Sequence, residues 1–228
     1  MMSLKTSKGN MYDWVTHMHS HLGGECPHKC SYCYVQRNRF GVNLRYQGPH
    51  RFLSHELKVD YGYGKTIFIE HMNDMFAQGI PGIVIQRILE HCTLYPGNKY
   101  IFQTKNPIRA YRHTHEFPKN YMLGTTIESN RYYSGLSQAP DPVQRYEAML
   151  KFPDVDKFIT IEPILDFDVD ELVKWIVNIK PSFVNIGADS KNCKLPEPSS
   201  AKVWALITAL QYRKITIKKK VNLGRMLN

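Results

Sequence analysis

The sequence predicts an α/β fold, an open, partial parallel β/α barrel of about six strands. Three observations predict it. Short runs rich in β-branched and aromatic residues alternate with amphipathic stretches along the whole chain. Six such runs, with a possible seventh, fall short of the eight that close a barrel. Polar residues follow the ends of these runs one after another, as they do where parallel strands open onto a site. At 228 residues the chain has room for one full core, and no repeat, low-complexity tract or Pro/Ser-rich linker divides it. One domain over residues 1–228 is expected.

The elements follow in order. Asp13–Ser20 (DWVTHMHS) reads as the first strand, then Thr66–Glu70, Tyr100–Thr104, Tyr121–Ile127, Lys157–Ile161 and Ser182–Ile186. Lys214–Lys218 is a candidate for the last. Between them, Pro81–Cys92 places Ile85, Ile88 and Leu89 on one helical face. Pro107–His113 suits a helix opened by proline at its first turn. Pro142–Phe152 carries a stripe of Val143, Tyr146, Met149 and Leu150. Asp168–Ile179 begins with acids suited to a helix N-terminus, then runs Leu172, Trp175, Ile176 and Ile179. Ser199–Tyr212 sets Val203, Trp204, Leu206, Ile207 and Leu210 inside, behind serine caps. Strand–helix alternation implies right-handed βα units on a parallel sheet.

Just after the first expected strand, in a loop spanning residues 22–35, come Cys26, Cys30 and Cys33 in the pattern C-P-H-K-C-S-Y-C. Three closely spaced thiolates can hold three irons of a [4Fe–4S] cubane and leave the fourth iron without a protein ligand. They could also hold a structural zinc with His28 or His21 as the fourth ligand. Zinc motifs usually come as two separated pairs, whereas the remaining cysteines here, Cys92 and Cys193, stand alone. A disulfide framework fits poorly with five cysteines and no signal peptide, which suggest a reducing compartment.

The C-x3-C-x2-C spacing, with Tyr32 before the last cysteine, resembles the motif of the radical S-adenosylmethionine (radical SAM) superfamily. More weakly, the phrases TIFIEHMNDMF, QTKNP, LGTTIESN, ITIEPILDFD and VNIGADS are similar to a compact, phage-associated group within it. The resemblance implies the partial barrel, a [4Fe–4S] cluster on Cys26, Cys30 and Cys33, and S-adenosylmethionine on the open iron. It further implies a 5′-deoxyadenosyl radical that abstracts hydrogen from a substrate, and a one-electron donor such as flavodoxin or ferredoxin. Some phage members serve in thymidine hypermodification by isomerising an amino acid adduct on the base. The superfamily's glycine–glycine–glutamate motif after the second strand, which binds the methionine amino group, is missing here. Asn73 and Asp74 stand in that place and could do similar work. At the other strand ends, Lys105 could meet a carboxylate or phosphate, and Thr126 with Glu128 could meet a ribose diol. Glu162 brings a further carboxylate, and Gly187 permits close backbone approach of an adenine or substrate.

The formal charge of +10 points to an anionic partner, with nucleic acid, and DNA in particular, in the lead. Basic residues concentrate in the C-terminal segment 213–228 and in a second group, Arg37, Arg39, Arg45 and Arg51, with Tyr34, Phe40, Tyr46 and Phe52 interleaved. His17, His19 and His21 alternate on the first strand, but three ligands on one straight strand span more than a metal's coordination sphere. With a polar start at Met1–Asn10 and no apolar run of membrane-crossing length, a soluble, cytoplasmic protein is expected, in the host cytoplasm if phage-encoded.

Overall fold

In the computed structural model, residues 4–7, 12–38 and 40–227 are described. Arg39, Asn228 and part of the polar start lie outside the described residues. The strands are β1 (Lys5–Thr6), β2 (His17–His19), β3 (Leu22–Gly23), β4 (Arg51–Phe52), β5 (Thr66–Ile69), β6 (Lys99–Thr104), β7 (Tyr121–Thr126), β8 (Asp156–Ile161), β9 (Phe183–Ile186) and β10 (Ile217–Lys219). The helices are α1 (Gly82–Thr93), α2 (Pro107–Tyr111), α3 (Pro142–Met149), α4 (Val169–Ile179) and α5 (Ser200–Tyr212).

One eight-stranded sheet runs β1-β2-β5-β6-β7-β8-β9-β10, and β3 pairs with β4 in a separate ribbon. From β2 to β10 every pairing is parallel, while β1 lies antiparallel on β2. Strand order equals chain order, so right-handed crossovers put all five helices on one face and leave the other concave. Seven parallel strands form the wall, and the short antiparallel β1 extends it beyond the sequence expectation.

Alternation along each strand sorts side chains to the two faces. Ile67, Ile69, Tyr100, Phe102, Leu123, Ile159 and Ile161 join the large core that includes α1, α4 and α5. Phe68, Ile101, Met122, Phe158 and Phe183 form a smaller cluster with Val15. Register sets Phe68 beside Ile101 and Ile101 beside Met122, with Gly124 against Phe158 and Phe158 against Phe183.

The first expected strand is the largest departure. Only His17–His19 pairs with the sheet, and Tyr12–Val15 turns onto the smaller cluster. Tyr12 stacks on Trp14 at 5.3 Å, and Trp14 meets the Phe158 and Phe183 ring faces edge-on at 5.8 and 5.3 Å. That aromatic burial outweighs the few ladder bonds a longer strand would add. The helix at Pro107 ends at Tyr111, short of His113. The basic C-terminal segment is packed back on the body. Lys218 sits over Phe183 at 4.5 Å, Lys219 over Trp204 at 4.8 Å and Lys220 over Tyr12 at 4.7 Å. No helix among the described residues is long and apolar enough to cross a membrane.

Candidate functional site

A cavity of about 620 Å³ opens at the C-terminal ends of the strands. Cys26, Cys30 and Cys33 line it from one side. Asn73 and Asp74 after β5, Lys105 after β6, Thr126 at the end of β7 and Glu162 after β8 line it from the others. Those five sequence-selected residues therefore converge on one space. Glu128 and Gly187 stand behind the wall. A Cβ at Gly187 would come within 2.7–2.9 Å of the Glu162 carboxylate and its stem, so the glycine makes room for that side chain.

The cysteine loop leaves β3 through Gly24, whose φ of +81° and contact with Pro49 exclude any side chain: a Cβ would lie 2.1 Å from the Pro49 carbonyl oxygen. Tight turns then follow, with the Lys29 N–H donating to Cys26 O and the Cys33 N–H to Cys30 O, at 3.1 and 3.0 Å. Two side chains between the cysteines pin the loop to the barrel. His28 Nε2 lies 2.8 Å from Asp74 Oδ2, and the Tyr32 hydroxyl donates to Glu128 Oε1.

Asp74 is already well supplied with donors. Besides His28, its carboxylate accepts from Thr104 Oγ1 at 2.9 Å and from the Lys105 and Phe76 N–H groups at 2.8 and 2.9 Å. Burial alone would raise its carboxyl, but His28 and these donors hold it below the ordinary value. Glu128 is the hub of a second buried network, accepting from Lys105 Nζ at 2.6 Å and Arg145 NH1 at 2.7 Å as well as from Tyr32. Burial again opposes ionisation there, and Arg145, then Lys105, bring the carboxyl down to about 2. Both carboxylates thus tie the cysteine loop to strand ends. Arg145 and the anchoring roles of His28 and Tyr32 were missed in sequence; the two loop residues had one signal, their position inside the cysteine triplet, and Arg145 on α3 had none.

Donor chemistry decides what the thiols fit. Burial, then the Asp74 charge, pushes the Cys26 thiol up to about 12, so a metal must displace its proton on binding. Among the described residues no three His, Cys, Asp or Glu side chains converge as ligands of a single ion. His28 is held by Asp74, and His21 by Glu70 and His91, so neither expected fourth ligand of a zinc ion is free to turn to the thiols. Cys92 is buried in the core, and Cys193 is not on the cavity wall. Three thiols on one wall, with no other cysteine beside them, suit a cubane that needs three protein ligands on separate irons.

Residues 14–179 match the family described as Protein of unknown function (DUF5131). The chain belongs to that family. No curated protein matches this DUF5131 chain. Among solved structures, a cysteine-to-serine variant of spore photoproduct lyase superposes with a TM-score of 0.65 at 11% identity, over 94% of this chain and 79% of that one. A second variant, with bound AdoMet and dinucleoside spore photoproduct, gives 0.57 at 12% identity over 92% and 64%. Streptococcus suis SuiB bound to precursor peptide SuiA gives 0.61 at 11% identity over 89% and 48%. The DUF5131 chain thus has the partial-barrel fold of radical SAM enzymes.

The expected nucleic-acid groups are differently placed in the DUF5131 chain. Arg45 pairs with Glu56, and Arg51 donates to the Gln47, Leu44 and Arg45 carbonyls, so these two cations are spent within the loop. Lys191 and Lys220 instead reach the cavity wall. Tyr12, Gln103 and Thr160, none of them singled out in sequence, form a hydrogen-bonded row on the same wall, with the Tyr12 hydroxyl 2.9 Å from each partner. Gln103 and Thr160 have only their position near strand ends as a sequence signal, and Tyr12, ahead of β2, has none.

Proposed function

We propose that this chain is a radical SAM enzyme acting on a nucleic-acid base, with DNA as the preferred polymer. The observation that carries the reading is the row of three cysteines on one wall of a strand-end cavity with no other thiol beside them. Cys26, Cys30 and Cys33 would hold a [4Fe–4S] cluster, and S-adenosylmethionine would share the cavity. When bound, these groups supply one-electron cleavage of a sulfonium and a carbon radical able to abstract hydrogen. Isomerisation of an amino acid-modified thymidine, which the resemblance implies, is the reaction assigned.

The chain's own residues bind, orient and exclude water. Glu162, paired with Lys220 Nζ at 3.8 Å and accepting from Asn222 Nδ2, would offer its remaining acceptor capacity to a ribose diol, and Thr126, held by Gln103, lines the same cavity. The Lys105 ammonium, set 5.4 Å over the Tyr32 ring, joins the cofactor end of the cavity to the cysteine loop. Phe68 and Met18 supply apolar wall, which keeps water and stray hydrogen donors from a reactive centre. Lys191 and the excess positive charge favour an anionic polymer, from which a base would be flipped out to reach the cavity. A peptide substrate is the second reading, favoured by the SuiB likeness.

Anaerobic reconstitution with iron and sulfide is the test. The expected product is brown and cleaves S-adenosylmethionine under reduction, and Cys30→Ala loses both properties. A colourless protein that retains zinc, or a Cys30→Ala variant that still turns over, overturns the ligand assignment. DNA affinity that falls steeply with salt supports the nucleic-acid substrate through counterion release. Salt-independent or absent DNA binding transfers the assignment to the peptide.

A further inference from the structure

Behind the cavity wall at the end of β5, a line of buried polar groups runs away from the site. Glu70, whose backbone sits at φ +60°, lines the cavity and is 2% exposed. Its Oε1 lies 3.0 Å from His21 Nδ1. His21 Nε2 lies 3.1 Å from His91 Nδ1, and His91 Nε2 lies 3.0 Å from the Val59 carbonyl oxygen. Glu70 also accepts from the backbone N–H groups of His21 and Leu22, the residues that lead into the cysteine loop.

The far end of the line sets its direction. A carbonyl oxygen only accepts, so His91 Nε2 carries hydrogen, and in a neutral ring His91 Nδ1 must then accept. His21 Nε2 therefore donates to it, and the Tyr61 hydroxyl oxygen, 3.0 Å from the same nitrogen, shares that hydrogen as a second acceptor. That leaves His21 Nδ1 as a bare lone pair facing a carboxyl oxygen. Two lone pairs cannot hydrogen-bond, so the proton between them must come from Glu70 or sit on His21 as an imidazolium. Both groups are fully enclosed, and separating charge there forfeits solvation on both partners. The surroundings do not favour an imidazolium. The His19 ring stands edge-on at 4.6 Å from His21, and Glu56, the nearby carboxylate, is already paired with Arg45. Cys92 and Tyr61, buried on the same side, and His71 and Tyr46 on the other, bring no fixed charge.

We propose that Glu70 stands in the cavity wall as a neutral carboxylic acid that donates to His21, a positioning residue that holds the entry to the cysteine loop and leaves this wall uncharged toward any ligand. Burial, the largest influence on both groups, acts in the same sense, raising the Glu70 carboxyl to about 7 and lowering the His21 ring to about 3. The inference stands on the line of groups alone and does not depend on the cluster. It also separates Glu70 from Glu162. Glu162, the other glutamate lining this cavity, has a cation of its own in Lys220 Nζ at 3.8 Å, whereas Glu70 has only neutral partners.

The test uses the full chain without metal. Infrared difference spectra between wild type and Glu70→Gln are expected to contain the carbonyl stretch of a protonated carboxylic acid, shifted by exchange into heavy water. Nitrogen-15 shifts are expected to report His21 as the neutral Nε2–H tautomer. Glutamine keeps a neutral donor toward His21 Nδ1 and an oxygen for the Leu22 N–H but loses the acceptor of the His21 N–H, so its unfolding midpoint should lie between wild type and Glu70→Leu, which lowers it further. Absence of the carboxylic acid band, an imidazolium at His21, or a Glu70→Gln midpoint as low as that of Glu70→Leu overturns the proposal. A leucine variant that fails to fold leaves the two spectroscopic measurements and the glutamine midpoint to decide.

Discussion

His28 and Tyr32 show how much work falls on side chains that bind no metal. Each stands between two cysteines of the loop, and each reaches a buried carboxylate at a strand end, Asp74 or Glu128. The two contacts differ in consequence. Tyr32→Phe removes one hydroxyl from Glu128, which keeps Lys105 and Arg145, so a loss of about 1 kcal/mol in urea unfolding is expected. Glu128→Ala strands the Arg145 guanidinium, itself almost wholly buried, and the Lys105 ammonium, and should cost about 3–5 kcal/mol in the same measurement. The cysteines were legible in sequence because their chemistry is local and their spacing short. The anchors were not, because the partner of His28 lies 46 residues away and that of Tyr32 lies 96 away. A carboxylate at a strand end reads alike whether it faces a ligand or a loop.

At the scale of elements, three helices largely follow their apolar stripes, whereas Val143 and Leu150 of the stripe expected on α3, which ends at Met149, and Trp204 of α5 are exposed. α1, α4 and α5 bury the faces that periodicity selected, with Ile85, Ile88 and Leu89 in α1, Leu172 and Ile176 in α4, and Leu206 and Leu210 in α5. Strands were legible for the same reason, since period-two alternation marks residues for opposite faces of the sheet. The reading failed where an apolar run serves a different purpose. Asp13–Val15, read as the start of the first strand, instead turns Trp14 onto the rings of Phe158 and Phe183, a choice that only the assembled wall can reveal. Gly124 on β7 belongs to the same packing. A Cβ there would fall 2.1 Å from the Phe158 ring, so Gly124→Ala must tilt that ring into its aromatic neighbours. A loss of about 1–3 kcal/mol by thermal or urea unfolding is expected, with the cysteine loop left unchanged.

The whole molecule carries an acid sensitivity whose sign follows from burial. Burial holds the His19 and His71 rings down to about 4 and the His21 ring to about 3. Below their ordinary value near 6.5, the unfolded chain takes up protons that the native chain refuses, so stability is lost as pH falls. Glu70 opposes this. Its raised carboxyl keeps a proton that the unfolded chain releases above its ordinary value, so its contribution fades as pH rises through about 7. Three histidines outweigh one carboxyl between these limits. The thermal midpoint is expected to be highest near neutrality and to drop between pH 6.5 and 4.5, at about 1.4 kcal/mol per pH unit for each net proton. A midpoint that is flat or rises over that interval would contradict these burial assignments.

The strictly sequential strand order has a consequence for biosynthesis. Each new strand emerges from the ribosome beside the one it will pair with, so the wall can be laid down unit by unit. The thiols are an exception. They leave the exit tunnel early, yet their tethers arrive only with Asp74, Glu128 and finally Arg145 on α3. More than half of the polypeptide must therefore be translated before its most oxidation-sensitive atoms are held in place.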